Sequence, residues 1–257
     1  MADTTSTAAP PLTAGAPDRL LGPVRRGAQL VLGLLAFTVS MAMLLHAGQG
    51  SMPWDVLHQG VVRTTGWSFG VVVALTSVLV LAAWVPLRQR PGIGTVANIV
   101  IISVAIEPSL RVLEILWPQP GALGRVLLAL GGVVLNGMAT AAYVGVRLGP
   151  GPRDGLMTGL VARTGWSVRS IKTGIEVAVV AVGWSLGGTV GWATVAFALG
   201  VGVAVQATAR WRWLVPGGLA ARPAPAVPPS DPTERRRRRA VQISRALDSL
   251  GERDRTA

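Results

Sequence analysis

Residues 53–68 read PWDVLHQGVVRTTGWS and residues 152–167 read PRDGLMTGLVARTGWS, so a similar segment recurs at an offset of 99. Nine of the sixteen aligned positions are identical. Apolar bias alone would match valines and leucines by chance, but it would not match proline, aspartate, glycine, tryptophan and serine in order. The chain therefore contains an internal repeat. The same offset aligns further positions without a gap: Gly92 with Gly191, and Thr-Val-Ala at 95–97 with Thr-Val-Ala at 194–196.

The repeat lies in a chain with the composition of a membrane protein. Half of its 257 residues are hydrophobic, 14% are charged, and the mean hydropathy is +0.49. A soluble chain carries about 25% charged residues. Six stretches approach the roughly 20 apolar residues that a helix needs to cross a bilayer. They lie at about 27–47, 68–87, 94–117, 122–146, 168–187 and 190–210.

Two shorter segments, 54–65 and 153–164, follow the first and the fourth of these stretches. They are too short and too polar to cross, and we expect them to be interfacial or re-entrant helices. Each copy of the repeat then holds three spans, and an odd number makes the second copy enter the membrane from the opposite side. The predicted fold class is therefore all-α: a polytopic membrane protein with six transmembrane helices in two inverted three-helix repeats, about 27–117 and 122–210, each with one short helix.

Helix breaks occur at corresponding positions of the two copies. Residues 48–53 (Gly-Gln-Gly-Ser-Met-Pro) and 149–152 (Gly-Pro-Gly-Pro) contain the glycines and prolines that end helices and free backbone polar groups. Many transporters are built from inverted repeats and bind their solutes at the repeat interface near such breaks. The pattern favours a transporter-like or channel-like protein for a small solute or ion. A non-transporting membrane scaffold or accessory factor for another protein is the alternative.

Lysine and arginine are distributed unevenly between the predicted loops. With the N-terminus inside, the outer face holds Arg63 and Arg125, Arg111 lies near the outer end of the third span, and the other basic residues fall on the inner face. The positive-inside rule then predicts a bacterial plasma-membrane protein with both termini cytoplasmic. The nine tryptophans agree, because each of them, Trp84 included, falls at a predicted membrane boundary.

The two ends of the chain differ from its middle. We predict a disordered cytoplasmic N-terminus at 1–24, a membrane domain at 25–213, and a proline-rich linker with a basic amphipathic cytoplasmic tail at 214–257. The tail is expected to bind anionic lipid headgroups, with a solvated charge run as the alternative. The net charge of +12 does not indicate a nucleic-acid partner, because the basic residues flank apolar runs or lie in this tail. The expected lipid contacts are Arg235, Arg236, Arg237, Arg238 and Arg239.

At the repeated segments the chain resembles the YczE/YyaS/YitT-like family of uncharacterised bacterial integral membrane proteins. The resemblance is carried by the run G-x-G-x-x-P-W-D-x-L-x-x-G at 48–60 and by Gly-Pro-Gly-Pro-Arg-Asp-Gly-Leu-Met at 149–157, each followed by Gly-Trp-Ser. Glu176 and the stretch at 186–191 are similar to the family as well. The resemblance covers about 27–213 and implies a six-helix membrane protein, with no established chemistry.

Two aspartates are candidate site residues. Asp55 and Asp154 each stand two residues after a proline, Pro53 or Pro152, at the start of a short helix. An acid in the first turn of a helix faces free N–H groups and the positive end of the helix dipole, which is a purely structural role. The alternative is an ion or proton site shared between the two halves, because a carboxylate within a membrane is costly without a function.

Charged residues inside the predicted spans are the other candidates. Glu107 and Arg111 share one face of the third span, as an internal ion pair or with Glu107 on the solute path. Glu176 follows Lys172 by one turn, with Arg169 beyond, and this group is either a neutralised structural cluster or part of the same path.

Several functional classes are disfavoured by what the sequence lacks. The chain has no cysteine and two histidines, which disfavours both a nucleophile–base set and a metal site built from these residue types. It contains no phosphate-binding loop and no dinucleotide fingerprint. We therefore expect no enzymatic activity, no catalytic residue, no metal and no cofactor, while the substrate itself is not indicated.

Overall fold

A computed structural model describes residues 22–211, and over this range the chain is entirely helical, without a strand. The expectations for the first 21 residues and for the linker and tail after Trp211, including the arginine contacts to lipid, lie outside the described residues. Nine helices occupy the described range: α1 (Pro23–Ala47), α2 (Pro53–Thr65), α3 (Phe69–Ala82), α4 (Trp84–Leu87), α5 (Ile93–Leu116), α6 (Ala122–Gly145), α7 (Pro152–Thr164), α8 (Val168–Ser185) and α9 (Trp192–Ala209).

Each apolar stretch of the sequence is occupied by helix, and the two short segments form α2 and α7, of 13 residues each. Helix α1 begins at Pro23, so the predicted disordered segment 1–24 extends two residues too far. Four helical segments are long and apolar enough to cross a membrane: α1, α3 together with α4, α6 and α9. Helices α5 and α8 have 24 and 18 residues and contain the charged candidates Glu107 and Glu176.

The same residues begin and end the short helices in both halves. Proline occupies the first position of α2 and of α7, where a missing N–H costs nothing and the fixed φ suits the helix. Gly66 and Gly165 end them with φ of 74° and 73°, in the left-handed region that glycine adopts freely. Ser68 and Ser167 then cap α3 and α8 by accepting a hydrogen bond from a backbone N–H in the first turn.

The loop of each half is held by the last long helix of the other half. Gly94 N–H donates to the Leu148 carbonyl at 2.8 Å, and Ala193 N–H donates to the Gln49 carbonyl at 3.0 Å. The two bonds are equivalent in the repeat, because Ala193 lies 99 residues after Gly94 and Gln49 lies 99 residues before Leu148. Two side-chain bonds follow the same pattern: Thr95 Oγ1 donates to the Pro150 carbonyl at 2.7 Å, and Ser51 N–H donates to Thr194 Oγ1 at 3.2 Å.

Close backbone packing joins the elements around the centre. Helices α1 and α6 pack side by side, with Gly33 against the backbone of Tyr143. Gly183 of α8 lies against the backbone of Leu57 in α2, and Gly137 of α6 lies against Ala204 of α9. These two small residues allow the close helix packing, since a Cβ at either position would overlap its neighbour.

Candidate functional site

A cavity of about 380 Å³ lies where the N-terminal ends of α2 and α7 meet. The helix starts Met52–Trp54 and Gly151–Asp154 contribute to its wall, so Pro53 and Pro152 both line it. Helices α1, α3, α5 and α9 add mostly apolar side chains, such as Phe37 and Phe197. The lining side chains that can form hydrogen bonds or ion pairs include Ser77, Asn98, Asn136, Thr140, Tyr143, Arg153, Asp154, Lys172, Glu176 and Gln206.

Arg153 and Trp54 occupy the same position in the two copies of the repeat and stack on each other in the cavity. The guanidinium carbon of Arg153 lies 5.0 Å from the centroid of the Trp54 ring, which is a cation–π contact. Within the described residues, no hydrogen bond or ion pair engages this guanidinium. The sequence interpretation treated Arg153 as one more inner-face charge and missed it. The sequence did contain a signal. The Pro-x-Asp motif has tryptophan at its middle position in the first copy and arginine in the second.

Asp154 lies both at the start of α7 and in the wall of the cavity. It stands in the first turn of α7, and the hydroxyl of Tyr143 donates to its carboxylate at 3.3 Å. Its burial raises the pKa of the carboxyl, and the hydrogen bond from Tyr143 and the charge of Arg153 oppose that shift. Asp154 therefore stabilises the start of the helix and also lines the cavity. Tyr143 was missed, although it is the one tyrosine of the chain.

Asp55, the counterpart of Asp154, does not line the cavity. It is fully buried in the first turn of α2, with Oδ1 3.2 Å from Nδ1 of the equally buried His58. Burial lowers the pKa of the His58 imidazole and favours its neutral form, which can donate to Asp55 through Nδ1–H. Asp55 Oδ2 and His58 Nε2 have no hydrogen-bond partner among the described atoms. The two aspartates are thus equivalent in sequence and have different surroundings.

Glu107 differs from both alternatives considered for it. Its Oε1 accepts the backbone N–H of Phe69 at 2.7 Å and that of Gly70 at 3.4 Å, so it caps the N-terminus of α3 from the neighbouring helix α5. No ion pair with the exposed Arg111 is present in the described structure, and Glu107 does not line the cavity. The approach is possible because Gly70 lies against the backbone carbonyl of Ser103.

The predicted ion pair in α8 is present. Lys172 Nζ lies 2.8 Å from Glu176 Oε1, one helical turn away, and both side chains line the cavity. Lys172 is 48% exposed and Glu176 is 25% exposed, so the pair borders solvent-accessible space. Arg169 is exposed and does not line the cavity.

Trp84 positions the start of α7. Its indole packs against Gly155, and Nε1–H donates to the Pro152 carbonyl at 2.9 Å. The side chain is only 1% exposed, so this tryptophan packs inside the protein. Since Pro152 directly precedes Arg153 and Asp154, this hydrogen bond orients the charged end of the cavity.

The described part of the chain contains no group of three His, Asp or Glu side chains that could hold a metal ion. The donor set of the cavity is instead suited to hydrogen bonding with an organic or ionic solute, because cationic, anionic and amide groups face a largely apolar space.

Comparisons with known proteins agree with the membrane character of the fold. An uncharacterised protein of Haemophilus influenzae is 36% identical over 177 residues, which is 69% of this chain and 80% of that protein. The uncharacterised membrane protein YczE of Bacillus subtilis is 33% identical over 178 residues, which is 67% of this chain and 79% of YczE. No solved structure matches the chain significantly. The model of a family of unknown function, DUF6198, matches residues 24–210. With its apolar helices and these relatives, the chain is an integral membrane protein that belongs to the YczE-like DUF6198 family.

Proposed function

We propose that this protein is a transporter that moves a small solute by alternating access between two inverted halves. The observation that carries the proposal is the cavity of about 380 Å³, lined by charged side chains where two Pro-x-Asp helix starts meet. Charged groups inside a membrane protein are costly and mark solute or ion pathways. Transporters with inverted repeats bind solutes at such interfaces of broken helices.

The proposed architecture has six spans, with α5 and α8 crossing the membrane beside the four apolar segments. Three spans in each half give the halves opposite orientations, with both termini in the cytoplasm of the bacterial cell. The reciprocal hydrogen bonds between each loop and the opposite half support this arrangement, because a two-fold relation makes every contact occur twice. The short helices α2 and α7 are then re-entrant and bring their N-termini to the cavity.

A difference between the halves supports alternating access. In the first half, Glu107 caps α3 and α3 packs against α5. The residue 99 positions after Glu107 is Gln206 of α9, and the residue equivalent to Phe69 is Val168 at the start of α8. Gln206 lines the cavity, and its amide makes no hydrogen bond to α8 within the described residues. Helices α8 and α9 lack the close packing of their counterparts.

The difference has a direct consequence for access. With the proposed topology, the Glu107 contact closes the outer side and the separated α8 and α9 leave the inner side open. In the opposite state, Gln206 would cap α8 as Glu107 caps α3 here, while Glu107 would release α3. A glutamine oxygen can accept the same backbone N–H groups as a glutamate, although more weakly.

The topology is tested with two identical, exposed residues of the repeat. Thr65 and Thr164 each end a short helix, and each hydroxyl bonds the carbonyl four residues earlier. Since the natural chain has no cysteine, Thr65→Cys and Thr164→Cys should react with a membrane-impermeant maleimide from opposite sides. Reaction of both from one side would refute the inverted arrangement.

The exchange of gates is tested by disulfide trapping in membranes. The pair Val168→Cys and Gln206→Cys should cross-link under oxidation whenever the inner side closes, and the trapped protein should lose access to the cavity from the inside. Val168→Cys with Val195→Cys, at the far end of α9, is the matched control and should not cross-link. A Val168–Gln206 pair that never cross-links would overturn transport and leave the scaffold hypothesis. The proposal assigns no catalytic residue.

A further inference from the structure

Arg153 is a charged side chain whose hydrogen-bonding capacity is unused. A guanidinium carries five N–H donors and stays protonated in proteins. Within the described residues none of these donors has a hydrogen-bond acceptor, and no carboxylate lies within ion-pair distance. Arg153 is half-buried and lines the cavity, so its N–H donors are available to a ligand that enters there.

A ligand that pairs with these donors must present an acceptor to the guanidinium from the cavity. The guanidinium carbon lies over the Trp54 ring at 5.0 Å from its centroid, and this contact engages none of the N–H donors in a hydrogen bond. A planar guanidinium held on an aromatic ring matches a carboxylate, which accepts two parallel hydrogen bonds from its edge. Burial lowers the pKa of the Arg153 guanidinium, and the charges of Asp55 and Asp154 oppose that shift without forming an ion pair with it.

The other charged groups of the cavity already have partners. Lys172 and Glu176 bind each other, and the carboxylate of Asp154 already accepts from Tyr143. Asn98 lines the cavity and makes no hydrogen bond within the described residues, which adds a second set of free donors. The cavity therefore has unused N–H donors at Arg153, which an acceptor group of a ligand can engage.

The rest of the wall distinguishes an organic acid from an inorganic anion. Phe37, Val73, Ile102, Phe197 and Val201 all line the cavity. Its volume of about 380 Å³ is at the small end of ligand pockets, which span roughly 300–1,000 Å³. These side chains suit an apolar body attached to the acid group, whereas phosphate or sulfate would leave them without a partner.

We infer that the cavity binds a small organic carboxylate, anchored by paired hydrogen bonds from the guanidinium of Arg153 and by packing of its apolar body against the opposite wall. The inference rests on the proposed transport and names the substrate class of that site.

Thermal unfolding of the purified protein in detergent tests the inference without a transport assay. The probes are butyrate, benzoate and leucine, with butyramide, benzamide and leucinamide as controls lacking the carboxylate, and inorganic phosphate as a further anion. At least one carboxylate should raise the Tm saturably, while its amide and phosphate should not. Stabilisation by none of the three carboxylates, or equally by phosphate, would overturn the inference.

Variants assign the effect to Arg153. Arg153→Gln should abolish the Tm shift, and Arg153→Lys should weaken the apparent affinity by about tenfold, because lysine keeps the charge without the paired donors. Arg169→Gln, an exposed arginine outside the cavity, is the matched control and should bind as the natural protein does. If Arg153→Gln does not fold, the lysine variant decides, and unchanged affinity in it would count against the inference.

The two proposals fail separately. If carboxylates raise the Tm saturably through Arg153 but the Val168–Gln206 pair does not cross-link, the protein has a carboxylate site without alternating access. Cross-linking without stabilisation by any carboxylate would keep transport and refute the substrate class.

Discussion

Replacing Glu107 by alanine should open the outer side of the cavity. The substitution removes the acceptor of two backbone N–H groups at the start of α3, bound at 2.7 and 3.4 Å. A hydrogen bond to a charged group contributes about 1.5–3 kcal/mol, and the longer of the two bonds is at the limit of useful geometry. Taking about 2 kcal/mol, Glu107→Ala shifts the ratio of closed to open outer gates by roughly 30-fold, since about 1.4 kcal/mol corresponds to tenfold.

Reactivity of a cysteine in the cavity reports this shift. Ser77 of α3 lines the cavity and is 8% exposed, so Ser77→Cys in the cysteine-free chain gives a single reactive site. A membrane-impermeant maleimide is added to right-side-out or to inverted vesicles, and the rate of reaction is measured from each side. The Glu107→Ala background should raise the rate from the outside by up to about 30-fold. Glu107→Gln, which keeps a neutral acceptor, should raise it about fivefold for a loss of about 1 kcal/mol.

The two vesicle orientations separate gating from loss of structure. A shift between two states cannot raise the rate from both sides, whereas unfolding would. Glu114→Ala changes an exposed acid on the same helix and should leave both rates unchanged. Equal outside rates in the natural background and in Glu107→Ala, or equal increases from both sides, would refute the gating role of Glu107.

Three further predictions follow from individual contacts. Gly183→Ala places a Cβ against the backbone of Leu57 and should lower the free energy of unfolding by about 1–3 kcal/mol, measured as a lower Tm. In the control Gly174→Ala, in the same helix, the new Cβ meets no atom within 4 Å, so the free energy of unfolding should rise by up to about 1 kcal/mol and the Tm with it. Because burial raises the pKa of Asp154 in the folded protein, the natural protein loses stability as the pH rises from 3.8, the pKa in the unfolded chain, through the higher pKa of the folded state. The difference in Tm between Asp154→Asn and the natural protein should therefore increase over that pH range. A difference in Tm that does not change with pH would contradict the raised pKa. Trp84→Phe removes the donor to the Pro152 carbonyl and should lower the free energy of unfolding by about 1 kcal/mol, measured as a lower Tm. An unchanged Tm would contradict a stabilising role for this hydrogen bond.

Much of the helical architecture could be predicted from the sequence because it depends on neighbouring residues. Apolar length sets where a helix can cross a membrane, and proline, serine and glycine mark where helices begin and end. Pro53 and Pro152 begin the short helices where the sequence predicted them, and Gly66 and Gly165 end them. The repeat also indicated which residues occupy equivalent positions, and the first-turn location of both aspartates followed from it.

The partners of the charged side chains were decided by tertiary structure alone. Glu107 binds a helix start 38 residues away, and Trp84 binds a carbonyl 68 residues away, so neither contact leaves a signal in local spacing. The repeat made Asp55 and Asp154 look equivalent, yet packing gave one a buried histidine and the other a place in the cavity wall. The stacking of Arg153 on Trp54 depends on the two helix starts meeting at the centre. A side chain's partner depends on which helices pack together, and that packing minimises the free energy of the whole bundle and not of any one segment.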